Sequence, residues 1–217
     1  MRRFAQLCCV LVSIFLAFAG VLPGQVPAQA GSEPWLTFAP KAGGPGSGKH
    51  IVFVTGEEEY RSEEGMPQLA RILARLGFRC TVLFAIDPKT GAIDPGVLDN
   101  IPGLEALDSA DLMVAFMRFR DLPDAQMQHF VDYVESGRPV IGLRTATHAL
   151  DAKKHTTFRR WSWRNNEWDG GFGRQVLGET WVDHHGGHGW QSTLGIVVYL
   201  GLDFLVFFEF LVFLVIF

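Results

Sequence analysis

The residues best suited to chemistry stand close together in the C-terminal part of the chain. The stretch from Trp161 to Trp190 holds five of the six tryptophans and three of the seven histidines. Imidazoles exchange protons or bind metals near neutral pH, indole rings offer flat apolar faces with one N–H donor each, and glycines let backbone approach a ligand closely. This composition predicts that the stretch contacts a ligand.

His184, His185 and His188 lie in the segment HHGGHG. They could supply ligands to a divalent metal such as zinc, but the glycines indicate a loop instead of one helical face, and no second cluster has the spacing of a ligand set. We therefore predict no resident cofactor or metal. Substrate contact is expected at all three histidines, with His185 as a catalytic candidate; a structural role and a metal-dependent hydrolase are the alternatives.

The tryptophans could stack on the apolar C–H faces of sugar rings, while the neighbouring Arg159, Arg160 and Arg164 bond sugar hydroxyls. Trp168 is predicted to contact the substrate. The alternative is that the indoles form a satellite core under a long loop, in which case their rings would be buried.

A second group of polar residues, from Glu57 to Glu64, follows the first predicted strand. Carboxylates here could act as general acid or base, or bond the hydroxyls of a sugar. Glu59 is a catalytic candidate and Tyr60 a predicted substrate contact. The alternative is a solvated acidic loop, in which Glu64 suits the positive end of a helix dipole.

The turn from Gly142 to His148 stands where several families of α/β enzymes place a nucleophile on a strand-to-helix elbow. Arg144 occupies the nucleophile position and Thr145 follows it. Neither is a good nucleophile without a paired base. The turn therefore predicts ligand binding by Arg144, Thr145 or His148 in preference to covalent catalysis, with Arg144 and His148 as further catalytic candidates.

The segment GGPGSGKH, residues 43–50, nearly matches a phosphate-binding P-loop. Its last position is His50 instead of Ser or Thr, and the segment precedes a predicted strand, whereas a P-loop follows a strand and opens a helix. We interpret it as a flexible linker.

Short apolar runs alternate with amphipathic ones from His50 onward, which predicts an α/β fold with a doubly wound, mainly parallel sheet. Ligands of such sheets sit at the carboxyl ends of the strands, so the acidic loop, the Arg144 turn and the Trp/His segment should meet there. The predicted strands are 51–54, 80–86, 112–116 and 139–143. The first predicted helix buries Met66, Leu69, Ile72, Leu73 and Leu76 and stops at Gly77, the second runs from Pro123 to Gly137, and a further helix follows His148.

The N-terminal residues 1–30 are predicted to be a secretory signal peptide, because Arg2 and Arg3 precede an apolar stretch and Ala28-Gln29-Ala30 suits cleavage. An uncleaved membrane anchor is the alternative. Export to the periplasm or the cell exterior follows. The chain has 19 basic and 23 acidic residues, and removal of the signal peptide makes it more acidic, which argues against nucleic acid as a partner.

Cys80 is the cysteine that remains after such cleavage, since Cys8 and Cys9 lie in the apolar stretch. One cysteine cannot form an internal disulfide. Its place in an apolar strand predicts a buried and inert thiol.

The C-terminal run 194–217 is apolar apart from Asp203 and Glu209 and is long enough to span a bilayer. Three interpretations stay open: a membrane anchor, a buried strand followed by more core, and a non-native continuation after about Tyr199, as from a frame shift.

With these segments identified, the chain resembles the ThuA-like (trehalose-utilisation-like) family of the class I glutamine-amidotransferase-like superfamily, in a secreted, planctomycete-like bacterial subgroup. The resemblance covers residues 50–198. It rests on GEEEYRSE at 56–63, GLRTATH at 142–148, WSW at 161–163, EWDGGFGR at 167–174, and GETW at 178–181 through HHGGHG at 184–189.

The resemblance implies a flavodoxin-like α/β domain and a link to carbohydrate metabolism. True amidotransferases carry a nucleophilic Cys at the elbow, where this chain has Arg144, and their His-x-Glu partner would lie beyond Tyr199. Glutamine hydrolysis is therefore not expected. Because the resemblance ends near Val198, the fold is expected to be truncated at its C-terminus.

These observations predict a signal peptide over 1–30, a Pro/Gly-rich leader over 31–49, an α/β domain over 50–198 and an apolar tail over 199–217. The leading hypothesis is an exported domain that binds or acts on a carbohydrate, without glutamine amidotransferase activity. The alternative is a non-catalytic sugar-binding or interaction module, anchored to a membrane through residues 194–217. The sequence assigns neither a reaction nor an oligomeric state.

Overall fold

The computed structural model describes residues 33–183, which form a five-stranded sheet with helices packed against it. The strand order is β1-β3-β2-β4-β5; β2 to β5 run parallel and β1 pairs with β3 in the antiparallel sense. The predicted mainly parallel α/β architecture is thus confirmed. The predicted signal peptide, the apolar tail and the HHGGHG histidines lie outside the described residues. The strands are β1 (Leu36–Phe38), β2 (His50–Gly56), β3 (Arg79–Leu83), β4 (Leu112–Met117) and β5 (Val140–Gly142).

Three α-helices and three 3₁₀ helices accompany these strands in the described range, and three of the six follow β5. Gly77 and Gly137 follow the first two α-helices with φ of 96° and 74°, the left-handed conformation that glycine adopts after a helix end, as predicted. The α-helix expected after His148 begins at Gly171. None of the helices in the described range is long and apolar enough to cross a bilayer. The α-helices are α1 (Ser62–Arg75), α2 (Asp124–Glu135) and α3 (Gly171–Leu177), and the 3₁₀ helices are Leu104–Ser109, Arg144–His148 and Arg159–Trp161.

Both faces of the sheet are covered. Successive side chains of a strand point to opposite faces, and β2 is buried at all seven positions, as expected of a central parallel strand. Ile51 and Phe53 pack in one core cluster with Met66 of α1. Val52 and Val54 pack in the other with α2. The sheet is therefore doubly wound.

The strand order reverses between β2 and β4. From β2 the chain passes through α1 to β3 on one side, then crosses to β4 and β5 on the other. This order is compatible with a flavodoxin-like arrangement, in which ligands bind outside the carboxyl ends of the strands at the reversal point. A site is therefore expected at the carboxyl ends of β2, β4 and β5. We call this region the carboxyl edge.

The segment predicted as a leader contributes to the sheet. Leu36–Phe38 forms the antiparallel edge strand β1, ahead of the expected domain start at His50. The glycine loop that follows is packed instead of being a flexible linker: a Cβ at Gly44 would lie 2.1 Å from the carbonyl oxygen of Leu76, and one at Gly46 would lie 2.3 Å from the Phe78 ring. These glycines are required by the close approach of the loop to the end of α1.

The buried face of α1 differs from the predicted one. Met66 is buried as expected, but Leu69, Ile72 and Leu76 are exposed, while Ala70 and Ala74 face the sheet. Small alanines permit close packing of a helix on a sheet, and the buried stripe combines them with Met66 and the partly buried Leu73. The spacing of the large apolar residues in the sequence did not reveal the burial of these alanines.

The strand β5 is three residues long where five were predicted. Its hydrogen-bonded neighbour among the described residues is β4. Ile141 is accordingly 47% exposed, although its apolar context predicted burial.

A polar cluster anchors the amino end of β2. His50 Nε2 lies 3.0 Å from Thr81 Oγ1, and Arg79 donates to His50 Nδ1 at 2.7 Å. The backbone N–H of His50 donates to Asp111 at 2.8 Å. Burial, and then the Arg79 guanidinium, hold the pKa of His50 below its usual 6.5 despite the opposing effect of Asp111.

Stability should therefore fall as the solution is acidified below the usual pKa of histidine. The unfolded chain takes up a proton at His50 from about pH 6.5 downward, whereas the folded protein takes it up only at lower pH, so protons favour unfolding in that window. One such proton allows a slope of at most about 1.4 kcal/mol per pH unit.

The measurement is guanidinium chloride unfolding between about pH 5.5 and 7.5, above the range where ordinary carboxylates titrate. The variant His50→Gln should show a flatter pH dependence than the unaltered protein. Equal slopes for the two proteins would contradict a neutral, buried His50.

Candidate functional site

Three strained residues mark the carboxyl edge. Arg61, Phe119 and Arg144 have φ of 54°, 52° and 42°, and they are all of the non-glycine residues with positive φ in the described part of the chain. They follow β2, β4 and β5 respectively. Such conformations cost about 1–3 kcal/mol each and cluster at functional sites. Their coincidence at one edge indicates a site there.

Glu57 shapes the loop after β2. Its side chain is fully buried, and its carboxylate accepts backbone N–H bonds from Glu59 at 2.9 Å, Tyr60 at 2.7 Å and Ser62 at 2.9 Å. Ser62 Oγ accepts a further bond from Gly56 N. Glu57 is thus a structural residue that presents Glu59 and Tyr60, a role that its membership of an acidic run did not reveal.

Arg118 binds the two acids next to Glu57. Its Nη1 atom lies 2.6 Å from Glu58 Oε1 and 2.8 Å from Glu59 Oε1, and its side chain is only 12% exposed. Its backbone N–H donates to Gly56 O at 2.9 Å. The predicted catalytic candidate Glu59 is therefore held in an ion pair by an arginine that sequence reasoning missed.

Arg120 is a buried residue whose side chain bonds backbone carbonyl groups at this edge. Its guanidinium is fully buried and donates to the carbonyl oxygens of Arg118 at 2.7 Å, Val97 at 2.9 Å and Pro95 at 2.9 Å. Burial lowers its pKa to about 10, so it stays charged at neutral pH. A Cβ on Gly56 would lie 3.2 Å from its Nη1 atom, which leaves little room for any other residue there.

Arg144 and Tyr60 join the elbow after β5 to the loop after β2. Arg144 Nη2 donates to the Tyr60 hydroxyl at 2.6 Å, and the guanidinium carbon lies 4.1 Å from the centre of the tyrosine ring. Both residues are exposed. The structure thus brings together two of the predicted substrate contacts.

His148 lies in an aromatic group with Phe119, Trp163 and Trp181. Its ring centre is 5.0 Å from that of Phe119, 5.1 Å from Trp181 and 6.4 Å from Trp163. The backbone N–H of Phe119 donates to the carbonyl of His148 at 3.0 Å, which ties the ends of β4 and of the elbow. This aromatic group lines the carboxyl edge beside Arg118, whose guanidinium lies 4.7 Å from the Phe119 ring centre.

The tryptophans divide into two sets. Trp163 and Trp181 belong to the aromatic group, whereas Trp168 packs on Trp161 at 4.8 Å between ring centres. Trp161 is buried against Phe130 in the core. The satellite-core interpretation thus describes Trp161 and Trp168, and substrate contact by Trp168 stays a prediction. Trp190 lies outside the described residues.

Thr145, predicted to contact the substrate, is buried, and its hydroxyl has no hydrogen-bond partner among residues 33–183. No group of three metal-ligating side chains occurs within that range. His184, His185 and His188 fall outside it, so the roles predicted for them stay predictions.

Comparison of the chain with protein-family models, with curated proteins and with solved structures gave no match.

The role of Glu57 predicts a large stability loss from a small substitution. In Glu57→Gln one carboxylate oxygen becomes an amide group that cannot accept the backbone N–H bonds, and hydrogen bonds to charged groups contribute about 1.5–3 kcal/mol each. We expect the free energy of unfolding to fall by about 2 kcal/mol, as measured by denaturant unfolding.

Glu64→Gln is the matched control, because Glu64 is an exposed residue of the first turn of α1. It should change stability little, since exposed ion pairs contribute little. Equal losses in the two variants would show that the buried carboxylate has no special role.

Proposed function

We propose that this protein is an exported ThuA-like domain, with a class I glutamine-amidotransferase-like arrangement of the flavodoxin type, that binds or acts on a carbohydrate at the carboxyl edge. The observation that carries this proposal is the meeting of three strained loops at the strand-order reversal. Open α/β sheets bind ligands outside the carboxyl ends of the strands at such a reversal.

The side chains at this edge have the chemistry that a sugar requires. Phe119, Trp163 and Trp181 are partly exposed, so their rings offer apolar surface for the C–H faces of a pyranose. Glu59 supplies carboxylate oxygens and Tyr60 a hydroxyl that can bond sugar hydroxyls. Polar groups beside aromatic surface are typical of small-molecule sites.

The residue at the elbow and the state of Cys80 both argue against glutamine amidotransferase activity. The nucleophile position of the elbow holds Arg144, whose guanidinium cannot attack an amide. Cys80 is fully buried in β3, and burial raises the pKa of its thiol to about 11. A thiol of that kind is not a thiolate at neutral pH and does not act as a nucleophile.

A non-catalytic sugar-binding module is the second candidate, and one observation favours it. Glu58 and Glu59 are both paired with Arg118, an arrangement that fixes carboxylates as hydrogen-bond acceptors. General acid–base catalysis by Glu59 and His148 would instead require one of them to exchange a proton with the substrate. The metal-dependent alternative depends on His184, His185 and His188.

Carbohydrate binding is tested by calorimetric titration of the full-length protein with a panel of neutral and acidic mono- and disaccharides. For any saccharide that binds, Trp163→Phe should weaken binding by about three- to tenfold, the size of an aromatic contact of about 0.5–1.5 kcal/mol. The matched control Trp35→Phe alters a tryptophan that packs on the core next to Gly103, and should leave the affinity unchanged.

If no saccharide in the panel binds, or if the two tryptophan variants weaken binding equally, the proposed site is wrong. Incubation of the bound saccharide with the protein, followed by product analysis, separates the two candidates: turnover that is lost in Glu59→Gln supports an enzyme, and binding without turnover supports the module.

A further inference from the structure

The guanidinium groups at the carboxyl edge differ in how their charges are compensated. Arg118 lies within ion-pair distance of Glu58 and Glu59, and Arg120 lies 3.7 Å from Glu58. Arg144 instead contacts the hydroxyl and the ring of Tyr60, and it forms no ion pair with any carboxylate in the described part of the chain. Arg144 is therefore an exposed positive charge without an acidic partner among the described residues. Exposed Arg164, whose guanidinium lies 4.5 Å from the centre of the Trp163 ring, is a second one.

Arg144 also occupies a conformation that an arginine does not favour. Its φ of 42° lies in the left-handed region, which glycine enters at little cost. The chain places a long cationic side chain at the elbow in spite of that strain. Strain of this kind persists where a site requires the side chain in that position.

The contact with Tyr60 orients the guanidinium and leaves donors free. Nη2 donates to the tyrosine hydroxyl, and the ring lies against the guanidinium. A guanidinium has five N–H donors in a fixed planar fork, so several remain for a ligand. Two parallel N–H bonds to one carboxylate are the arrangement that this fork fits best.

We infer that the carbohydrate bound at this site is a sugar acid, whose carboxylate pairs with Arg144 while its ring contacts the aromatic group. This inference rests on the proposed function. A carboxylate carries one negative charge, equal and opposite to that of Arg144, whereas a phosphate ester carries about −1.5 to −2. The nearby acids Glu58 and Glu59 would oppose the additional negative charge.

The test compares glucose, glucuronate and glucose 6-phosphate by calorimetric titration of the full-length protein. These ligands share one ring and differ at one carbon. Glucuronate should bind at least about tenfold more tightly than glucose, in the range of a charge-assisted hydrogen-bonded pair. Raising the salt concentration should weaken binding of glucuronate more than that of glucose, because salt screens an exposed ion pair.

Arg144→Gln should bring the affinities for glucuronate and glucose close together, and Arg144→Lys should restore part of the difference. Arg75→Gln, which removes an exposed arginine in the last turn of α1, is the matched control and should retain the full preference. Tyr60→Phe removes the hydroxyl that orients Arg144 and should reduce the preference by about two- to fivefold. It keeps the inference testable if the Arg144 variants fail to fold.

Equal binding of glucose and glucuronate, unchanged in the variants, would overturn the sugar-acid inference and leave the carbohydrate proposal standing. Tighter binding of glucose 6-phosphate than of glucuronate would overturn the assignment of a carboxylate. Failure of all three ligands, together with the whole saccharide panel, would overturn the proposed function itself.

Discussion

The carboxyl edge of the sheet depends on one buried cation, the guanidinium of Arg120. It donates to three carbonyl oxygens from two segments of chain, at Arg118, Val97 and Pro95. Its own backbone pairs with the segment after the elbow, through Arg120 N to Ala149 O and Asp151 N to Arg120 O. Because a buried acceptor without a donor costs about 1–3 kcal/mol, loss of this side chain would be costly at both segments, since three carbonyl oxygens would lose their bonds to the guanidinium.

Hydrogen bonds from neighbouring residues hold the strained residues Phe119 and Arg61 in their conformations. Phe119 is fixed by its backbone bond to the carbonyl of His148. Arg61 lies between residues whose N–H groups bind the Glu57 carboxylate, since Tyr60 and Ser62 both donate to it. Strained conformations persist only when their surroundings determine them in this way, so these bonds explain how Phe119 and Arg61 keep theirs.

The sequence predicted this architecture well where the pattern is local. Strand β2 and the glycines that follow α1 and α2 show the expected apolar runs and helix stops. It failed where the outcome depends on distant partners. Arg118 and Glu58 are sixty residues apart in the chain, so no motif joins them, and the burial of Glu57 within a run of three glutamates follows from the direction of its side chain. The buried stripe of α1 was predicted only in part, because Ala70 and Ala74 are buried beside Met66 where the larger Leu69 and Ile72 were expected.

The elbow after β5 shows that the fold does not by itself determine the chemistry of the site. Its geometry holds Arg144 at the carboxyl edge in a left-handed conformation. A cysteine or serine in that position would be a nucleophile if a base were nearby, but an arginine is a permanent cation with planar donors. Function lies in the residues placed on a fold and not in the fold itself. At this edge Arg118 has acidic partners and Arg120 donates to carbonyl oxygens, whereas the exposed guanidinium of Arg144 bonds the Tyr60 hydroxyl and has further N–H donors.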